Sequence, residues 1–195
     1  MTNWSSIKEQ YPATQKYTYL NTPSCGLISK ATAECAQQYY QIFLQHGGQE
    51  RRDWYCKIIS LKEKLAEFIN AAHDEIALVT SFSVGMNYVV QMLTSLDRVL
   101  LLDHDYPSLC LPWQLHEYKL YYQGWEKDGS LNLEKTAAMI RKEKIKVVAV
   151  SHVQYQTGYC LDIKALGRIC RENGPLLLVD ATQSLGAIPH IKKLD

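Results

Sequence analysis

The sequence lacks the short signatures that mark the commonest phosphate-binding loops. Neither GxGxxG nor GxxxxGKS/T occurs, so the usual dinucleotide and nucleoside-triphosphate loops are absent. None of the six cysteines, at 25, 35, 56, 110, 160 and 170, is spaced as CxxC, which leaves no basis for a zinc ribbon or a thioredoxin-type pair. No metal ligand is assigned. Excess charge is missing too. The formal net charge is +1, and the most basic cluster, Arg51-Arg52, is flanked by Glu50 and Asp53. Electrostatics therefore gives no reason to expect nucleic acid or an anionic membrane as a partner. No apolar run approaches the length that crosses a bilayer, and the N-terminal MTNWSSIKEQYP has no apolar signal core. Scattered cysteines without a secretion signal point to reduced thiols in a cytoplasmic protein. Internal repeats, low-complexity tracts and linkers are lacking as well.

What is present is ordinary for a globular chain. With 195 residues, 47% hydrophobic and 21% charged, it suits one domain or one and a fraction and can bury a core. Two periodicities alternate along it. Residues 30–45 read as a helix stopped by His46-Gly47-Gly48. Residues 54–71 place Ile58, Leu61, Leu65, Phe68 and Ile69 at helical spacing, a stripe expected to pack into the core. Further helices are expected over 87–96, 107–118, 133–142 and 162–171, the last ending at Asn173-Gly174. Strands are expected over 75–80, 98–103, 120–122, 146–151 and 176–179.

Strands that are continuous apolar runs, separated by amphipathic helices, predict an α/β fold: three layers, α/β/α, around a mainly parallel sheet. Ligands of such sheets bind outside the carboxyl ends of the strands. Four strand ends carry polar or aromatic tips: Ser81-Phe82-Ser83-Val84-Gly85, Asp103-His104-Asp105-Tyr106, Ser151-His152-Val153-Gln154 and Asp180-Ala181-Thr182-Gln183. SFSVGMN, residues 81–87, follows a strand and opens a helix, so its backbone N–H groups and serine hydroxyls suit an anion. Asp180 ends an apolar strand, where an ionised carboxylate needs a partner or a cation. Gln183 is placed to reach the same ligand. Tyr106 offers a ring to a planar group, and Ser151 and Gln154 offer polar atoms at the third tip. Each feature also has an ordinary use, which is the commoner one for a single residue: a serine N-cap, an aspartate turn cap, a tyrosine packed on the sheet.

Together these residues describe an anion cradle, a stacking ring, a carboxylate and an amide. Pyridoxal 5'-phosphate needs that set, with an Asp keeping its pyridine nitrogen protonated.

The sequence resembles the class V aminotransferases, the fold-type I PLP-dependent enzymes that include cysteine desulfurases, kynureninase and isopenicillin-N-epimerase-like proteins. The resemblance rests on YLNTPSCG at 19–26, SFSVGMN at 81–87, DYPSLCLPW at 105–113, VQYQTG at 153–158 and VDATQSLGAIP at 179–189. It implies that Ser83 and Val84 hold the phosphate, Tyr106 stacks on the ring, Asp180 pairs with the pyridine nitrogen and Gln183 lies near the phenolic oxygen. Ser151 joins the cofactor pocket, and Asn21 and Gln154 contact the substrate. Desulfurases usually carry His at the stacking position, so Tyr106 leans away from sulfur transfer. The resemblance further implies that residues 1–30 line the active site and that 31–195 form an incomplete PLP-binding large domain, with the C-terminal small domain absent.

The family's cofactor-binding lysine follows the Asp by about two dozen residues, a spacing this sequence, ending at Asp195, does not reach. Lys192 and Lys193 come too early and lack the usual Ser/Gly/His setting, so no catalytic residue is assigned. The expectation is the N-terminal portion of an enzyme acting on an amino acid at Cα or Cβ, homodimeric when complete and inactive as this chain alone. Two alternatives stand beside it: a naturally truncated binding or interaction module of the same fold, and a nucleotide-binding α/β domain, which the missing phosphate loops disfavour.

Overall fold

The apolar runs form a sheet covered on both faces. A computed structural model describes residues 3–93 and 96–188. By contacts the chain divides into two units, with the boundary after Leu65.

The second unit holds the sheet. Its strands are β1 (Arg98–Leu102), β2 (Lys119–Gln123), β3 (Val147–Ser151) and β4 (Leu176–Asp180), in the order β2-β1-β3-β4 with every pairing parallel. Because successive side chains of a strand point to opposite faces, an all-apolar strand feeds two cores. Val99, Leu101, Val147 and Ala149 pack with Met86 and Val90 of α5 (Phe82–Met92) and with Leu109, Cys110 and Trp113 of α6 (Pro107–Gln114). Leu100, Leu102, Val148 and Val150 pack on the other face with Ile140 of α7 (Leu133–Glu143) and with Ile163, Leu166 and Cys170 of α8 (Ile163–Asn173). The expected three-layer α/β/α arrangement is therefore present.

Side-chain caps set the helix starts. The Ser81 hydroxyl accepts from Val84 N–H at 3.3 Å, Asn132 from Lys135 N–H at 3.0 Å and Asp162 from Ala165 N–H at 2.9 Å. Gly174, at φ 90°, closes α8 in the left-handed conformation that glycine adopts without strain.

Four expectations need correction. The helix expected over 87–96 begins earlier, at Phe82, because Ser81 caps it. The helix expected over 107–118 ends at Gln114. Residues 75–80 form no strand: His73–Glu75 is a single 3-10 turn, and 76–80 are irregular. A strand needs a ladder partner, and among the described residues no strand is available to this segment. Finally, Ile58, Leu61 and Phe68 of the apolar stripe are exposed, at 45%, 46% and 54%.

The first unit contains α1 (Trp4–Glu9), α2 (Ala13–Lys16), α3 (Lys30–His46) and most of α4 (Arg51–Ile69). Tyr39 and Phe43 of α3 meet Trp54 of α4 at ring-centroid distances of 5.3 and 5.7 Å. No residue of α3 is buried. No helix among the described residues is long and apolar enough to cross a membrane.

Two predictions follow from the packing. Leu101 is fully buried, so Leu101→Ala should lower unfolding free energy by about 3 kcal/mol in denaturant titration. Burial, with a smaller contribution from the Asp105 charge, pushes the Cys110 thiol up to about 12, and burial pushes Cys170 up to about 11. A raised thiol pKa means less thiolate, the reactive form. A thiol titration of the folded chain at pH 8 should therefore count only the four exposed cysteines, 25, 35, 56 and 160, and all six after denaturation.

Candidate active site

The strand order fixes where a ligand can enter. β1 connects outward to β2 and β3 connects outward to β4, so the connections part between β1 and β3. A crevice at the carboxyl ends of the strands is expected at that switch point. The ladders agree. β1 pairs with β2 as far as Leu102↔Gln123, and β3 pairs with β4 as far as Ser151↔Asp180, but the β1–β3 register ends at Leu100↔Val148.

The tip of β1 is tied to the end of β2 on one side and to the end of β3 on the other. Asp103 N–H donates to the Gln123 carbonyl at 3.0 Å, and the Trp125 indole donates to the Asp103 carbonyl at 2.8 Å. His104 has φ 56°, a left-handed conformation that costs free energy in a residue with a Cβ. Its carbonyl accepts from the Gln154 amide at 3.0 Å. Asp105 is only 6% exposed; its carboxylate accepts from Ser151 N–H at 2.9 Å and from Tyr106 N–H at 2.7 Å. Tyr106, just before α6, is 44% exposed and meets the ring of Tyr155 edge to face, with centroids 5.1 Å apart and planes at 84°.

The other tips lie beside this one. Ser151 is buried and sits opposite Asp180 in the β3–β4 register. Asp180 is 6% exposed; its carboxylate accepts from Thr182 N–H at 2.8 Å, and its carbonyl accepts from His152 N–H at 2.9 Å. The ion pairs among the described residues, Lys135–Glu126 and Lys142–Glu143, do not include it. Gln183 is half-buried in the turn that follows. His152 is buried, its Nε2 lies 3.5 Å from Cys160 Sγ, and its Nδ1 has no hydrogen-bond partner among the described residues. Burial pushes the imidazole below its ordinary pKa, partly opposed by the Leu161 backbone. At the start of α5, Ser83 Oγ donates to Ser108 Oγ of α6 at 3.0 Å, which brings two helix N-termini together. The Val84 N–H is engaged by Ser81.

The structure thus gathers Tyr106, Ser151 and Asp180 at the carboxyl end of the sheet, and it joins the Ser83 turn of α5 to α6 through Ser108. Gln154 is buried beside them. Its carbonyl oxygen accepts from Gln156 N–H, Thr157 N–H and the Thr157 hydroxyl at 2.7, 2.7 and 3.1 Å, which closes the 154–158 turn. Asn21 lies in the first unit, in an exposed turn where its carbonyl accepts from Ser24 and Cys25 N–H. Lys192 and Lys193 lie outside the described residues. Sequence reasoning missed Asp105, Tyr155 and Ser108. All three stand within the quoted motifs at 105–113 and 153–158, and only the pairing of β1 with β3 reveals what Asp105 binds. Among the described residues no group of three or more His, Cys, Asp or Glu is gathered as for a metal.

Comparison with known proteins identifies relatives of this chain. The chain is 32% identical over 93% of its length to an uncharacterized aminotransferase of Bacillus subtilis, covering 49% of that protein. It is 30% identical over 96% of its length to a probable cysteine desulfurase of Pyrococcus abyssi, covering 50% of that protein. Among solved structures, the apo cysteine desulfurase of Thermococcus onnurineus superposes with a TM-score of 0.82 at 26% identity, over 95% of this chain and 49% of that one. The chain spans about half the length of the relatives it matches. The family model described as aminotransferase class-V matches residues 18–194, and the chain belongs to that family.

Proposed function

We propose that this chain supplies the cofactor-binding part of a pyridoxal 5'-phosphate enzyme acting on an amino acid at Cα or Cβ. Asp180 carries the reading. Its carboxylate is buried at a strand tip, holds one backbone N–H and has no ion-pair partner among the described residues. Burying an ionised carboxylate is costly unless a cation joins it, and a protonated pyridine nitrogen is such a cation.

The other residues present fit the same group. The first turn of α5, with Ser83 and Val84, faces an anion with a favourable dipole and with N–H groups that the helix itself leaves unbonded. Ser81 already takes one of these, from Val84, so Ser83 is the stronger phosphate ligand of the two. Tyr106 presents a half-exposed ring to cover the cofactor face and keep water off it. Ser151 and Gln183 flank Asp180. We assign Gln154 to holding the loop that frames the substrate, and Asn21 to the substrate side of the complete site.

When bound, pyridoxal phosphate provides the electron sink that stabilises negative charge at the substrate's Cα. Asp180 keeps the proton on the ring nitrogen, which strengthens that sink. In the whole protein, residues 1–30 line the site, 31–195 belong to the large domain, and two copies associate. Transamination, epimerisation, β-elimination and kynureninase-like hydrolysis all use this arrangement. The relatives' names include both aminotransferase and cysteine desulfurase. Tyr106, where desulfurases usually carry His, favours the reactions other than sulfur transfer.

Pyridoxine 5'-phosphate lacks the aldehyde and so reports the noncovalent contacts alone. The folded 195-residue chain should bind it saturably in equilibrium dialysis, and Asp180→Ala should weaken binding about thirtyfold. Absence of saturable binding, or equal binding by the variant, would overturn the reading.

A further inference from the structure

The stacking residue stands on a short loop, and a loop alone does not hold a ring still. Tyr106 follows His104, whose left-handed backbone is strained, and it is itself 44% exposed. Its best anchor is the preceding residue. The Asp105 carboxylate is buried and bridges two backbone donors: Tyr106 N–H, at the start of α6, and Ser151 N–H, at the end of β3. The β1–β3 register ends before this point, at Leu100↔Val148. Asp105 therefore connects the two strands where no residue of β1 is paired with Ser151. One carboxylate joins the loop that carries the ring to the strand that lies beside Asp180.

We propose that Asp105 is a positioning residue: it fixes the Tyr106 ring over the cofactor by tying Tyr106 to β3 across the switch point. The inference rests on the pyridoxal phosphate reading above. Two charge-assisted hydrogen bonds to a buried acceptor are strong and directional, so their loss frees the loop. Gln154, three residues after Ser151, supports the same loop through the His104 carbonyl. Tyr155 closes against the Tyr106 ring and limits its rotation once the backbone is set. Asp105 touches neither substrate nor cofactor in this account. It acts through Tyr106, and that distinction can be tested.

The test is a double-mutant cycle read by pyridoxine 5'-phosphate binding to the full 195-residue chain. Asp105→Asn keeps the size of the side chain and removes its charge. It should weaken binding about tenfold. Tyr106→Ala should weaken it by about the same factor. Because Asp105 acts through the ring, adding Asp105→Asn to Tyr106→Ala should cause little further loss. If the two losses multiply to about a hundredfold, Asp105 does not act through Tyr106 and the inference fails. It also fails if Asp105→Asn binds as well as the parent chain. Should Asp105→Asn not fold, judged by near-ultraviolet circular dichroism, Asp105→Glu is run through the same cycle. That variant keeps the charge but lengthens the arm, and the same non-additivity is expected. Failure of the parent chain to bind at all would instead overturn the cofactor reading, so the two failures are distinguishable.

Discussion

Everything in the second unit follows from covering a parallel sheet on both faces. β1 and β3 have apolar side chains above and below, and helices remove both faces from water. Polar chemistry has no place along such strands and is driven to their ends. The carboxyl ends of β1, β3 and β4 accordingly collect Asp105, Ser151, His152, Gln154 and Asp180, all buried. Burial makes each of them demanding, because every polar atom there needs a partner. Much of the loop structure meets that demand: Asp105 takes two N–H groups, Gln154 closes a turn, and Asp180 holds Thr182.

The site is the part of this network that the protein's own groups leave open. Neither Asp105 nor Asp180 has an ion-pair partner among the described residues, but Asp105 takes two N–H groups and Asp180 one. The Tyr106 ring, at the tip of β1, is half-exposed and packs edge to face on Tyr155. A planar cation with a phosphate arm meets all these features at once: charge for Asp180, a face for Tyr106, an anion for the turn of α5. Membership of the class V aminotransferases gives that reading its family context.

The sheet was readable from sequence because two-sided burial writes itself as unbroken apolar runs. Val99 to Leu102 and Val147 to Val150 need no partner to be recognised as strands. Residues 75–80 have the same composition but no neighbour to pair with among the described residues, and composition alone does not supply one. The helix expected from residue 87 starts at Phe82, directly after the Ser81 cap, because Ser83 and Gly85 in its first turn are weak helix formers whose place only the cap fixes. The stripe on α4 has helical apolar spacing, but spacing does not settle burial: Ile58, Leu61 and Phe68 are exposed. Asking which residue ends or follows each strand singles out Asp180, Ser151 and Tyr106, which the structure places at the carboxyl end of the sheet. Asp105 is not singled out in this way, since its role depends on β3 lying beside β1, a contact between residues 46 positions apart.

We infer that Asp180 holds a cationic ring. The nitrogen-15 resonance of ring-labelled pyridoxine 5'-phosphate bound to the chain tests it most directly, at a pH above the free ligand's own ring pKa. The account predicts a protonated ring nitrogen in the complex, reverting to the neutral form in Asp180→Ala. A bound ring nitrogen without its proton, or one protonated whether or not the carboxylate is present, would contradict it.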